Sequence, residues 1–267
     1  PSEPEEALSG NREFKSSQGA GLRVATLNTR TCADPAKMEM LCAYAAKEKI
    51  TILALQETRR TQKTATPTPL GWSIIETHAY DNGHAGAAIL VPDSIAKDIT
   101  STRTLVPARA IAVSFKQFTV ISLYAPTAQH PDDREECFQE VASFINANRQ
   151  ARPLLVLGDI NSRRAHEIPQ RAAHHIAAAA EQSDDFISRG MLSDVFGAER
   201  THRYGTLDRV LVSTRFRSAL TGTAVRQPPI KTDHKLVLAR MRVKMATRKP
   251  PKNDAPPDLH ALRTDAG

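Results

Sequence analysis

The chain has 267 residues, 40% hydrophobic and 24% charged, with a formal net charge of +7. That composition belongs to a globular protein with enough length for one large α/β domain or two small ones. No apolar run approaches the ~20 residues of a membrane span, so no membrane partner is expected, while the basic excess favours a polyanion.

In chain order, residues 1–20 are rich in Ser, Glu, Gly and Gln without periodicity and read as a disordered leader. The folded domain is expected over 21–245. Leu22 to Leu27 is strand-like and stops at Asn28-Thr29-Arg30-Thr31. Asp34-Pro35 is a good N-cap and first helical position, and Met38, Leu41, Cys42, Ala45 and Ala46 then recur at helical spacing. Ile50 to Leu55 is a second buried strand that delivers Gln56-Glu57-Thr58-Arg59-Arg60 at its end. Trp72 to Ile75 and Ala87 to Val91 read as strands, with Trp72 in the core. Ala110–Phe115 and Phe118–Tyr124 read as a hairpin turning at Lys116-Gln117. Acid at Asp132, Asp133, Glu135 and Glu136 suits the first turn of a helix that buries Phe138, Val141, Ala142 and Ile145.

Leu154-Leu155-Val156-Leu157 is a strand buried on both faces, followed by Gly158-Asp159-Ile160-Asn161. The glycine is expected to release the backbone. Side chains two apart on an extended segment point the same way, so Asp159 and Asn161 can converge. Residues 162–182 read as loop and short helix, with His174-His175 exposed, and a helix near Ser183–Arg189 closes at Gly190. Leu207 to Val212 and Ala219 to Val225 are further strands. Val237 to Lys244 alternates as a half-exposed strand, and 246–267 is a Pro/Lys-rich linker or tail. Cys32, Cys42 and Cys137 lack metal-ligand spacing and read as buried hydrophobes in a reducing compartment. Strands do not alternate one-for-one with helices. The expected fold is therefore an α/β (α+β) sandwich of four layers, with two packed mixed β-sheets flanked by helices.

Polar residues recur where apolar strands stop: Asn28, Glu57, Tyr124, Asp159 with Asn161, Asp208, and Asp233-His234. Alone, each reads as a cap, a turn or a surface ion pair. As an ordered set, Asn28-Thr29-Arg30-Thr31, Leu55-Gln56-Glu57-Thr58, Tyr124-Ala125-Pro126-Thr127, Gly158-Asp159-Ile160-Asn161, Leu207-Asp208-Arg209-Val210-Leu211-Val212-Ser213 and Thr232-Asp233-His234 resemble the endonuclease/exonuclease/phosphatase superfamily. Within it the chain is most similar to the endonuclease domains of non-LTR retrotransposon polyproteins, on the Asn-x-Arg-Thr opening, Arg215 to Ser218, and the basic tail. A first residue other than Met agrees with a piece of such a polyprotein.

The resemblance implies a Mg²⁺-dependent DNA endonuclease, with Mn²⁺ as a substitute ion, that leaves a 3′-hydroxyl to prime reverse transcription. It would act inside the cell, in the nucleus, with the rest of the polyprotein as partner. Glu57 would be the main metal ligand, assisted by Asn28 and Asp233. Asp159 would orient or deprotonate the water, Asn161 and Tyr124 would contact the phosphate, and His234 would work with Asp208. Either Asp159 or His234 could be the general base. Arg30, Arg59, Arg60, Lys63, Arg163 and Arg164 flank these positions and are expected to grip the DNA backbone.

The chain also departs from the pattern. Arg30 stands where apurinic repair enzymes carry an acid, and Thr201-His202-Arg203-Tyr204 replaces the usual aromatic step. A cellular phosphoesterase acting on abasic DNA, RNA or a small molecule, and an inactive scaffold domain, are the alternatives.

Overall fold

The computed structural model describes residues 21–63, 65, 67–148, 152–195 and 199–242. The expected leader (1–20) and tail (246–267) lie outside these residues. The elements in chain order are β1 (Leu22–Asn28), α1 (Pro35–Lys47), β2 (Ile52–Gln56), β3 (Trp72–Thr77), β4 (Ala87–Pro92), the single turn α2 (Asp93–Ala96) and β5 (Ile99–Val106). There follow β6 (Ala110–Phe115), β7 (Thr119–Tyr124), α3 (Pro131–Asn148), β8 (Leu154–Asp159) and α4 (His174–Arg189). The series closes with β9 (Leu192–Asp194), β10 (Asp208–Ser213), β11 (Leu220–Arg226) and β12 (Leu236–Met241).

These strands form two six-stranded mixed sheets, ordered β11-β12-β1-β2-β4-β3 and β5-β6-β7-β8-β10-β9. Each sheet is built around one parallel pair, β1 with β2 and β7 with β8. A parallel pair needs a crossover, and α1 and α3 provide it. Asp34 opens α1 by accepting from the Ala36 amide at 2.9 Å, with Pro35 supplying the first helical φ.

Three apolar clusters make the four layers. The central one joins the facing sides of the sheets: Val24, Ile52, Ala54 and Ile89 from one meet Ile111, Val113, Leu155, Leu157 and Val210 from the other. The back of the second sheet packs on α3 and α4 through Phe138, Val141, Ile145 and Phe186. The back of the first packs on α1 through Met38, Leu41, Cys42 and Ala45. With both faces covered, β2 and β8 are buried at every residue. The two-layer sheet sandwich and its flanking helices are as expected from the sequence.

Several elements differ from the sequence expectation. β12 is buried on both faces because Leu236 and Leu238 lie under α1, so the Arg240 that suggests a half-exposed strand marks only its far end. The expected extension of this strand to Lys244 runs past the described residues. The exposed edge strand β5 and the short β9 carry too little apolar pattern to be foreseen. Residues 174–189 form one helix rather than a loop and a short helix, with His174 and His175 exposed in its first turn. Gly190 caps it with ordinary helical φ, and the left-handed residue is Met191 at φ +46°. Ala46 is exposed.

Gly158 does not release the backbone; it lies within β8, and its hydrogen faces the β7 backbone. A Cβ there would overlap the Leu123 carbonyl oxygen, a backbone atom that cannot step aside. Glycine therefore lets β7 and β8 approach beside Asp159. Gly158→Ala is expected to cost about 3 kcal/mol or more, by comparison with overpacked cores. A urea midpoint unchanged from wild type would remove this account.

Candidate active site at the strand ends

The C-terminal ends of the two parallel pairs face one another. In register, Asn28 lies opposite Gln56 in one sheet, while Tyr124 and Asp208 lie on either side of Asp159 in the other. Parallel strands end together, so each pair delivers its polar residues to one edge. The sandwich sets those two edges against each other.

Asn28 joins them. Its buried side-chain nitrogen donates to Glu57 Oε1 and to Asp159 Oδ2, both at 2.9 Å, and its Oδ1 accepts from the Arg30 amide at 3.0 Å. Every polar atom of this carboxamide is used. Glu57 has a left-handed φ of +48°, held by Thr29 Oγ1 donating to the Glu57 carbonyl at 3.2 Å and by the Thr58 amide donating to Gly86 at 3.1 Å. Asn161 is also left-handed, at φ +51°. Its amide donates to Asp159 Oδ1 at 2.8 Å and its side chain to the Ala125 carbonyl at 2.8 Å. Non-glycine residues in this region persist only where their surroundings fix them, and such strain gathers at functional sites.

His234 lies between two acids. Its Nδ1 donates to Asp208 Oδ2 at 2.9 Å, and Nε2 is 3.8 Å from Asp159 Oδ2. Thr232 Oγ1 secures the loop by donating to the Asn28 carbonyl at 2.9 Å and accepting from the His234 amide at 3.3 Å. Burial alone would lower the His234 pKa. The charge and hydrogen bond of Asp208, with Asp159 and Asp233 behind them, outweigh it and raise the value to about 9. Burial raises Asp159, opposed by His234, while Asp208 adds to the rise. The imidazole is therefore the group that keeps the proton.

Burial acts to raise Glu57, yet hydrogen bonds from Asn28, Arg59 and Tyr124 hold it below the ordinary value. Burial raises Tyr124, and Glu57 and Asp159 add to it, so the phenol remains a neutral donor. Its ring carries the Arg109 guanidinium 4.8 Å from the centroid.

A hard divalent cation fits this edge. Glu57 is ionised, and a carboxylate with about four lone-pair directions retains acceptor capacity beyond Asn28, Arg59 and Tyr124. Asp159–Asp208–His234 and His202–Asp233–His234 also bring three possible donors each within reach. Both include His234, which as an imidazolium has no lone pair to give.

The structure gathers Asn28, Glu57, Tyr124, Asp159, Asn161, Asp208 and His234 at one edge. Asp233 stands apart from Glu57, taking a hydrogen bond from His202 Nε2 and an ion pair from Arg30, both at 3.3 Å. Of the expected DNA-gripping residues, Arg60 is a correction. It is buried and ion-paired with Glu76 at 3.0 Å, with no surface to offer a phosphate. Arg164 is likewise mostly buried against Asp194 at 3.0 Å. Arg59 is turned onto Glu57 at 3.0 Å and is half exposed. Arg30 and Lys63 are exposed, and Arg163 is partly so. Sequence reasoning did not select His202, whose ring lies 4.6 Å from that of His234, nor Thr232. The Thr-x-His-like spacing around Asp233 is the signal that could have found Thr232.

Residues 24–234 match the model of the Endonuclease/Exonuclease/phosphatase family. The chain belongs to that family. Its name joins nucleases with phosphatases, enzymes that hydrolyse phosphate esters. A curated relative, the Transposon TX1 uncharacterized 149 kDa protein of Xenopus laevis, is 21% identical over 245 residues. The match covers 83% of this chain and 18% of that protein, so the chain spans less than a fifth of its relative. Similar solved structures include the AP endonuclease LMAP of Leishmania major, with a TM-score of 0.70 and 14% identity, covering 84% of this chain and 88% of that one. The endonuclease domain of TRAS1, a telomere-specific non-LTR retrotransposon, gives 0.62 and 17%, covering 84% and 100%. The Neisseria 3′ phosphatase NExo, bound to a product DNA hairpin, gives 0.67 and 19%, covering 82% and 99%. At these identities the likeness shows the shared fold.

The raised value for His234 carries a signed consequence. An unfolded histidine titrates near 6.5. The stabilisation from the Asp208–His234 pair is therefore fully present below that pH and is lost as pH rises through about 9. In EDTA, the His234 ring signals in an NMR titration should move near pH 9, and Asp208→Asn should bring the midpoint down toward 6.5 or lower. A wild-type midpoint at 6.5 contradicts the arrangement.

Proposed function

We propose that this chain is a Mg²⁺-dependent endonuclease that nicks one DNA strand and leaves a 3′-hydroxyl, as part of a retrotransposon's target-primed reverse transcription. The observation that carries the reading is the hydrogen-bonded series Glu57–Asn28–Asp159, continued by His234–Asp208 across the ends of both sheets. Metal-assisted phosphodiester hydrolysis uses a metal-holding acid, an acceptor for a water proton and a cation for the phosphate within a few ångströms. In this reading Glu57, Asp159 and His234 would supply them.

Glu57 would hold the cation, with Asn28 fixing the free geometry of its carboxylate. When bound, the ion would neutralise charge on the phosphate and acidify a water. Asp159 is held on both oxygens by Asn28 and by the Asn161 amide. It faces the site as a fixed acceptor that orients the attacking water and takes its proton. His234, charged and anchored on Asp208, presents Nε2–H toward Asp159 and the phosphate, where it steadies charge gathering on the non-bridging oxygens. Asn161 keeps one amide hydrogen beyond its bond to Ala125 for the same oxygens. Tyr124 stays protonated and gives its one hydrogen to Glu57, so it would have to turn from that carboxylate to donate to the departing 3′-oxygen. The retrotransposon setting is supported by the Xenopus transposon relative.

The reading is checked by nicking of supercoiled plasmid in Mg²⁺ and in EDTA. Wild type should cut only with the metal. Glu57→Ala and His234→Ala should each lose on the order of 10²–10⁴ in rate while keeping wild-type circular dichroism. No cutting by wild type, or equal cutting by all three proteins, would overturn it.

A further inference from the structure

A column of rings leads out of the site to the surface. The His234 ring is buried and hydrogen-bonded; His202 lies 4.6 Å from it with planes 34° apart, and Tyr204 lies 5.0 Å from His202 at 50°. The Arg203 guanidinium then sits 4.6 Å from the Tyr204 centroid. His202 is nearly buried, yet Tyr204 is 53% exposed, one of few large hydrophobic residues so open among those described. A tyrosine needing only a core would not stand here.

The segment that carries it is rigid. Residues 202–205 form a tight hairpin in which His202 and Gly205 exchange backbone hydrogen bonds at 3.0 and 3.1 Å, and Gly205 takes φ +143°. His202 Nδ1 accepts from the Tyr204 amide at 3.2 Å, leaving Nε2–H to donate to Asp233 at 3.3 Å. The hairpin base is fixed by Thr201 Oγ1, which accepts from the Leu207 and Asp208 amides at 3.1 Å. Tyr204 is thereby tied to the acid that anchors His234. The charge around it is mixed, with Glu167 against Gly205 and Asp233 on His202, but basic side chains stand on the same side. Arg163 packs against Gly205, Arg203 lies on the ring, and exposed Lys235 is hydrogen-bonded through its backbone to Thr201.

We propose that Tyr204, with Arg203, is a stacking platform for one nucleobase beside the scissile phosphate, so that the enzyme selects DNA with an unstacked or readily unstacked base at that position. This rests on the nuclease reading above. The chemistry is specific in class. A flat, exposed aromatic surface with the Arg203 guanidinium on it and Arg163 and Lys235 nearby suits a planar base on an anionic backbone, and base–aromatic stacking tolerates any base. The column holds the platform at a fixed distance from His234, so one nucleotide position is read.

The test uses duplexes with a single Mg²⁺-dependent cut site, in which one nucleotide at a time is made abasic on either side of the cut. Wild type should show KM raised on the order of tenfold at one flanking position, the loss expected from one stacked base. Tyr204→Ala should show a raised KM on intact DNA, little change in kcat and no dependence at that position, whereas Tyr204→Trp should retain it. A second arm needs no cleavage: in EDTA, fluorescence anisotropy with a labelled single-stranded oligonucleotide should show on the order of tenfold weaker binding by Tyr204→Ala, and near-normal binding by Tyr204→Trp. If wild type fails to cut but the binding arm gives this result, the nuclease reading fails and the platform stands. If Tyr204→Ala matches wild type in binding, or in KM and position dependence where wild type cuts, the platform is refuted and the nuclease reading is untouched.

Discussion

One carboxamide holds two sheets' worth of chemistry in register. Asn28 places a donor on each of two carboxylates, Glu57 and Asp159, that belong to different sheets. Brought together in a poorly solvated edge, two acids repel, and each unsatisfied oxygen would cost roughly 1–3 kcal/mol. A neutral group with two hydrogens satisfies both without cancelling the negative charge that a cation would need. Aspartate at this position would add a third charge, and leucine would leave one oxygen of each acid without its Asn28 donor. The constraint reaches inward as well. Directly beneath, buried Gln56 accepts from Thr26 and donates to Ser122 at 3.0 Å, a second polar link from sheet to sheet. Ser122 in turn donates to the Leu55 carbonyl at 3.1 Å.

The rest of the site follows from where strands stop. β1, β2, β7 and β8 end at one level because each parallel pair is joined by a helix and shares a register. Left-handed backbone at Arg30, Glu57, Arg59 and Asn161 then turns the chain sharply away, leaving side chains rather than loops over the edge. The strain at Glu57 and Asn161 is held by hydrogen bonds from neighbouring segments. The hairpin at 202–205, proposed above to take part in substrate choice, makes no side-chain contact of its own to Asn28.

Much of this was legible in the sequence because the signals were local. Apolar runs bounded by polar residues located β1, β2, β7, β8 and β10, although Asp208 proves to begin β10 and His234 to precede β12 rather than to close a strand. The resemblance then supplied the roles those residues are proposed to play. What was illegible depends on tertiary context. Arg60 reads as a basic neighbour of Glu57, but Glu76 arrives from β3 to bury it. β5 carries Thr-Ser-Thr-Arg-Thr on an exposed edge, where no apolar period is required. Arg240 suggested a solvent face on β12 that α1 in fact covers. His202 stands in a stretch that the sequence marks only as a departure from the family pattern; its ring matters because the loop before β10 folds back onto the loop before β12.

The most direct test of the account is the Mg²⁺ dependence of nicking by Asn28→Ala. If Asn28 holds the two acids together, the variant should lose on the order of 10² in maximal rate and require more Mg²⁺ for half-maximal rate, while its cooperative unfolding persists. A variant that nicks at the wild-type rate with the wild-type Mg²⁺ requirement would contradict it.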